Sequence, residues 1–282
     1  MAAIFHDMSK DIVFDYRLGY VRTGGTMPGF DVYGDDGAAR ILTLGGYTTP
    51  EQAKSGLAWP ALLYERFKND GRPVQIISGD TDGFTSAQEM LMFIRDGILL
   101  RPELVINLSG FYNFAYKLGF VREDERKYVE ALQKYPFTNP NQLKYYDDMT
   151  SRFELGRGNM YYGEENDVPA WDYWLQHMDI IHCLCNEFNI GHTAVLQPCA
   201  FSGGYEPDGD KTADFGSKFK DMYAYASEAV NDRDYIVDLS GLYNAADFED
   251  ACHLGEKGLA MLAGEIYKLI ASNAAIQGGP GL

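Results

Sequence analysis

Apolar positions along the chain fall into short runs that alternate with helical stripes. Ala39-Arg-Ile-Leu-Thr-Leu-Gly45 is an apolar run ending in Gly-Gly, the pattern of a buried strand feeding a turn. A helix is expected around Pro60–Lys68, where Leu62, Leu63 and Phe67 sit near helical spacing, and Gly71-Arg-Pro73 breaks it. Val74–Ile77 reads as a second strand. Ser86-Ala-Gln-Glu89 has the form of a capping box and opens a helix through Met90, Phe93 and Ile94 to about Leu99. Leu104–Leu108 gives a third strand. Beyond it come a helix over Trp171–Phe188, a strand over Thr193–Gln197, a helix over Lys211–Val230, a strand over Tyr235–Asp238 and a closing amphipathic helix over Gly255–Ser272.

Strands this short and this apolar, alternating with helices, imply βαβ units and a parallel sheet covered on both faces. The expected fold is therefore α/β: a three-layer α/β/α sandwich with a central, mainly parallel five-stranded sheet. Residues 1–38 are rich in Gly, Asp and Tyr, show no clear period, and read as an irregular N-terminal arm. The domain proper is expected over 39–273, with an insertion at about 114–170 that is polar and aromatic and carries Pro136, Pro140 and Pro169. The tail 274–282, with Gly278-Gly-Pro-Gly281, reads as flexible.

Composition narrows the function. The 282 residues include 24 Lys plus Arg against 41 Asp plus Glu, a net charge of −17. Such a surface repels phosphate backbones and anionic headgroups, so neither nucleic acid nor membrane is an expected partner. No run approaches the ~18 apolar residues that span a bilayer, and the N-terminus lacks a basic segment followed by an apolar one. The expectation is a cytoplasmic protein. Of the four cysteines, three lie in apolar stretches and read as buried thiols; Cys183-Leu-Cys185 lacks zinc-knuckle spacing. His177, His182 and His192 show no ligand-like spacing either, so no metal and no cofactor are expected.

The chemistry is expected where the strands end, because ligands of doubly wound sheets bind at the carboxyl ends of the strands. Gly45-Gly46-Tyr47-Thr48-Thr49 follows the first strand, Ser78-Gly79-Asp80-Thr81 the second, and Ser109-Gly110-Phe111-Tyr112-Asn113 the third. Asp250-Ala-Cys-His253-Leu254 follows the last. An Asp three residues before a His can orient its imidazole. In this order and spacing the four turns resemble the blocks of the SGNH (GDSL-type) esterases, over the stretch from Ala39 to about Ser272. The resemblance implies a flavodoxin-like strand order. It also implies His253 as general base, Asp250 as its partner, and Gly79 as an oxyanion donor. By the same resemblance, Gly46, Thr48, Gly110, Tyr112 and Asn113 are expected to line the substrate or oxyanion site.

Two positions depart from the family pattern. Tyr47 falls where the nucleophilic serine belongs and Tyr112 where an oxyanion asparagine belongs, while Asn113 stands at a place where aspartate is common. A phenol places its oxygen well beyond the point at which a serine hydroxyl meets the base, and its ring occupies space that an acyl group needs. Thr48 and Thr49 are neighbouring hydroxyls, redirected by the turn. Two readings follow. In one, the chain is an esterase, deacylase or acyltransferase on a small-molecule or glycan ester, with Tyr47 as an atypical catalytic group. In the other, it is a catalytically silent binding protein that uses the same cleft. The segments Tyr145-Tyr146, Tyr161-Tyr162 and Trp171-Asp-Tyr-Trp174 are candidate groove linings for a carbohydrate or acyl group, or surface packing.

Overall fold

In the computed structural model, the residues described are 12–15, 19–22, 30–46, 58–81, 83–117, 170–202, 210–250 and 252–271. Strands β1 (Ile12–Asp15) and β2 (Gly19–Arg22) pair as an antiparallel hairpin. Next come β3 (Asp31–Tyr33), β4 (Ala39–Gly45), α1 (Trp59–Asn69), β5 (Val74–Ser78) and α2 (Ser86–Met92). A π turn and a 3-10 turn extend α2 to Leu100. Then follow β6 (Leu104–Ser109), α3 (Phe111–Lys117), α4 (Ala170–Glu187), β7 (Gly191–Leu196), α5 (Asp210–Ala229), β8 (Ile236–Asp238) and α6 (Glu256–Ile270).

The main sheet has six strands in the order β3-β5-β4-β6-β7-β8. Five of them are parallel, and in order of appearance they run 2-1-3-4-5, the doubly wound arrangement expected above. Every residue of β5 and β6 is buried, which explains why these strands read as continuous apolar runs rather than alternating ones. Helix α1 packs with α6, while α4 packs with α2, α3 and α5, so helices lie in two groups about the sheet. The Arg66 guanidinium of α1 donates to the Ala260 carbonyl of α6 (2.8 Å), over a close approach at Gly264.

The N-terminal region differs from the expectation. It is not irregular throughout: it holds the β1–β2 hairpin and β3, a sixth strand antiparallel to β5 with Val32 opposite Ile77. Three half-buried residues are too short a run to show a period, and Phe30, at 3% exposure, supplies the apolar anchor. The start of α2 also differs. Its capping box is Thr85 with Gln88, not Ser86 with Glu89, and Gln88 Oε1 accepts the Thr85 N–H at 3.0 Å. Glu89 turns inward instead, where its Oε2 accepts from Asn107 Nδ2 (2.7 Å) in the centre of β6.

Burial pushes the Glu89 carboxyl up to about 8, against the pull of the Asn107 bond and with the nearby Asp80 adding to the rise. His192 Nε2 meets Asn107 Oδ1 at 3.1 Å, and burial, with His182 adding to it, lowers that imidazole to about 3. A neutral acid, an amide and a neutral imidazole thus form one polar link between α2, β6 and β7, without a charge placed in the core.

Candidate active site

The parallel register puts the ends of β4, β5, β6, β7 and β8 along one rim. At the end of β4 the backbone is closely invested. A Cβ on Gly45 would lie 2.4 Å from the Leu108 carbonyl, and one on Gly46 would lie 2.2 Å from the Phe84 carbonyl and 2.7 Å from Tyr112 Cδ2. Glycine is required at both positions by close approach. Tyr112, 2% exposed and edge-on to Phe111, therefore packs its ring directly against the first-strand turn. Gly110, at φ +117°, makes the sharp exit from β6 that allows this. Tyr47, Thr48 and Thr49 lie outside the described residues, as do Tyr145, Tyr146, Tyr161 and Tyr162.

Beneath this turn lies Asp80, buried at 2% exposure. Its Oδ2 accepts from the Thr43 hydroxyl (2.6 Å) and the Ser78 hydroxyl (2.8 Å), joining β4 to β5 under Gly45. The Thr81 N–H donates to the Gly45 carbonyl (2.8 Å) and the Gly83 N–H to the Gly46 carbonyl (3.2 Å).

Gly79 stands elsewhere. Its N–H is donated to the Thr43 carbonyl (2.8 Å), and its Cα packs under Leu44, Phe30 and Met92. The Gly79 amide is thus engaged within the sheet. Gly83, at φ +79°, is the glycine of this loop that reaches the first-strand turn.

Asn113 is fully buried and turned toward α2. Its Oδ1 accepts the Ser86 N–H (3.1 Å) and its Nδ2 donates to Ser86 Oγ (2.8 Å). The Ser86 hydroxyl meets His177 Nδ1 at 2.8 Å, tying α2 to α4.

The loop between β8 and α6 carries Asp250 and His253. Asp250 Oδ1 accepts two backbone N–H groups, from Cys252 and His253, both at 2.9 Å. Its Oδ2 accepts from His253 Nδ1 at 2.6 Å. One carboxylate thus folds the loop and aims the imidazole at once, the local bonding for which aspartate is favoured in turns. The Glu249 N–H to His253 carbonyl bond (2.7 Å) and the Gly255 N–H to Asp247 carbonyl bond (2.8 Å) close the loop. Tyr223, whose hydroxyl donates to the Gln197 carbonyl (2.8 Å) just past β7, lies within electrostatic reach of both Cys199 and Cys252. The loop is thereby set beside the β7 end of the rim.

Burial raises the cost of the Asp250 charge, yet the His253 bond and the two amides hold its carboxyl at about 2. Burial likewise works against the His253 imidazolium, but Cys252 and Asp250 outweigh it and hold that group well above the usual histidine range. Cys252 Sγ sits 3.7 Å from His253 Nδ1. Among the described residues these three side chains, with donor atoms all within 4.8 Å of one another, form the group able to hold a metal ion. Cys185, Cys199 and Cys252 are buried and Cys183 is exposed, all as free thiols.

No known family profile matches the chain, and no curated protein matches it. Solved structures do. An acetyl xylan esterase superposes with a TM-score of 0.50 at 12% identity, over 82% of this chain and 99% of that one. A GDSL-like lipase from Bacteroides thetaiotaomicron aligns at 17% identity and a TM-score of 0.46, covering 82% and 87% of the two chains. A lipase/acylhydrolase from Enterococcus faecalis aligns at 14% identity and a TM-score of 0.47, covering 82% and 95%. The chain has the SGNH-type hydrolase fold. Among the described residues no helix is long and apolar enough to cross a membrane.

Proposed function

We propose that this chain is an ester-processing protein of SGNH type, acting on an ester of a small molecule or glycan. The observation that carries the reading is the Asp250–His253 pair. It has a 2.6 Å bond to Nδ1, a carboxylate locked by two amides, and a place at the carboxyl end of a doubly wound sheet. In this reading Asp250 fixes the tautomer that leaves Nε2 facing the reaction, and His253 accepts the proton of the attacking hydroxyl. In the same reading Tyr47, next after Gly46 in the sequence, is the atypical catalytic group. Gly46, Gly83 and Tyr112 bound the acyl side.

The second reading, a silent binding protein, draws on Tyr112, whose buried ring fills the space against Gly46. Hydrolysis of p-nitrophenyl acetate separates the two. The enzyme reading expects activity in the wild type and its loss in His253→Ala. Activity that appears only in Tyr47→Ser assigns the chain to the silent class. Wild-type activity untouched by His253→Ala removes the proposed base.

A further inference from the structure

The Asp250 loop brings together three unlike donors: a carboxylate oxygen, a thiol sulfur and an imidazole nitrogen, all within 4.8 Å of one another. Cys252 and His253 are each 6% exposed, and their positions are preset by the amide bonds to Asp250 Oδ1. A tetrahedral zinc ion, with bonds of ~2.3 Å to sulfur and ~2.05 Å to nitrogen, holds those atoms roughly 3.6 Å apart. The observed separation of Cys252 Sγ and His253 Nδ1 is 3.7 Å. Nitrogen and oxygen on the same ion stand roughly 3.3 Å apart. The Asp250 Oδ2–Nδ1 contact of 2.6 Å therefore has to lengthen by roughly 0.7 Å, with Oδ2 swinging off the Nδ1 axis that the ion takes. Oδ1 carries both backbone bonds, so Oδ2 can turn to an ion while the loop stays folded.

We propose that Asp250, Cys252 and His253 form a zinc-binding site. Thiolate and imidazole together select zinc over calcium or magnesium, and three protein ligands leave a fourth position open. Binding has a definite proton balance. The Cys252 thiol releases its proton as the metal–sulfur bond forms. The His253 ring gives up the hydrogen on Nδ1 as the metal–nitrogen bond forms and carries its remaining hydrogen on Nε2. Zinc on Nδ1 therefore breaks the Asp250–His253 bond and leaves Nε2 occupied by hydrogen, unable to accept a proton. The metal site stands apart from the ester-processing reading; only its inhibitory consequence rests on that reading.

The test reads sulfur ligation rather than activity. Tag-free protein stripped with a chelator is titrated with zinc against a chromogenic indicator, and then with cobalt(II) to reveal any thiolate-to-metal charge-transfer absorption. Wild type and Cys183→Ser are expected to take up one equivalent and to show the band. Cys252→Ser loses the band and binds zinc at least tenfold more weakly. A band that persists in Cys252→Ser, or no uptake by the wild type, overturns the proposal. Zinc-edge X-ray absorption of the wild type guards against a variant that fails to fold. One sulfur among nitrogen and oxygen neighbours supports the site, and a shell without sulfur ends it.

Discussion

At the scale of single residues, His253 is governed by its neighbours. With Asp250 bonded to Nδ1 and Cys252 beside it, the imidazolium persists above the ordinary histidine range. A base must be unprotonated to work, so esterase activity is expected to switch on at a pH above that range. Asp250→Asn should move the onset downward and lower kcat by about 10²–10⁴, because the tautomer is no longer fixed. A pH–rate profile that starts at the same pH in both proteins counts against the pairing.

Glu89 makes the opposite kind of prediction. Its carboxyl titrates at 4.5 in the open chain and at about 8 when folded. Between those values the folded chain keeps a proton that the unfolded chain gives up, so stability falls as pH rises through this window and is fullest below it. Glu89→Gln keeps an acceptor for Asn107 and removes that loss, which amounts to at most about 1.4 kcal/mol per pH unit. Urea unfolding of both proteins at about pH 5 and pH 8 checks it; parallel slopes would refute the assignment. Asp250, Gly46 and Tyr112 could be picked out because short motifs mark strand ends. Gly79 stands out for the same reason, and the bond of its amide to Thr43 depends on the partner strand, which a linear pattern does not contain.

Secondary-structure elements show where local signals compete. Thr85 and Ser86 are both good caps, and Gln88 and Glu89 are both good partners for them. The choice between the two registers was made by burial, since Glu89 is drawn inward to Asn107 and Ser86 to His177. Gln88→Ala removes the acceptor of the Thr85 N–H and is expected to cost about 1 kcal/mol of stability in chemical unfolding. Gly45→Ala tests packing between strands. Its new methyl would meet the Leu108 carbonyl at 2.4 Å, and a backbone atom of a central strand yields poorly. A loss of about 1–3 kcal/mol is expected, and a melting temperature unchanged from wild type contradicts the described approach of β4 to β6. The five parallel strands were legible because each is an apolar run bounded by glycine, proline or polar turns. β3 was not, because its three residues gain their strand character only by pairing with β5.

For the molecule as a whole, charge is the dominant collective property. A net charge of −17 over 282 residues favours solubility and loads the folded state with self-repulsion. Raising ionic strength from about 0.01 M to 0.15 M shortens the screening length from about 30 Å to 8 Å and is expected to raise the melting temperature. A flat response would show that the acidic groups are already spaced or paired to offset one another. β3 adds a point about shape. By lying antiparallel along β5, it occupies hydrogen-bonding groups that a cut at residue 39 would leave bare. A shortened chain starting there would present an unsealed flank of buried-type residues, Val74 to Ser78, to any neighbour. Self-association along that flank is the fate expected for the trimmed protein, and β3 serves as its guard.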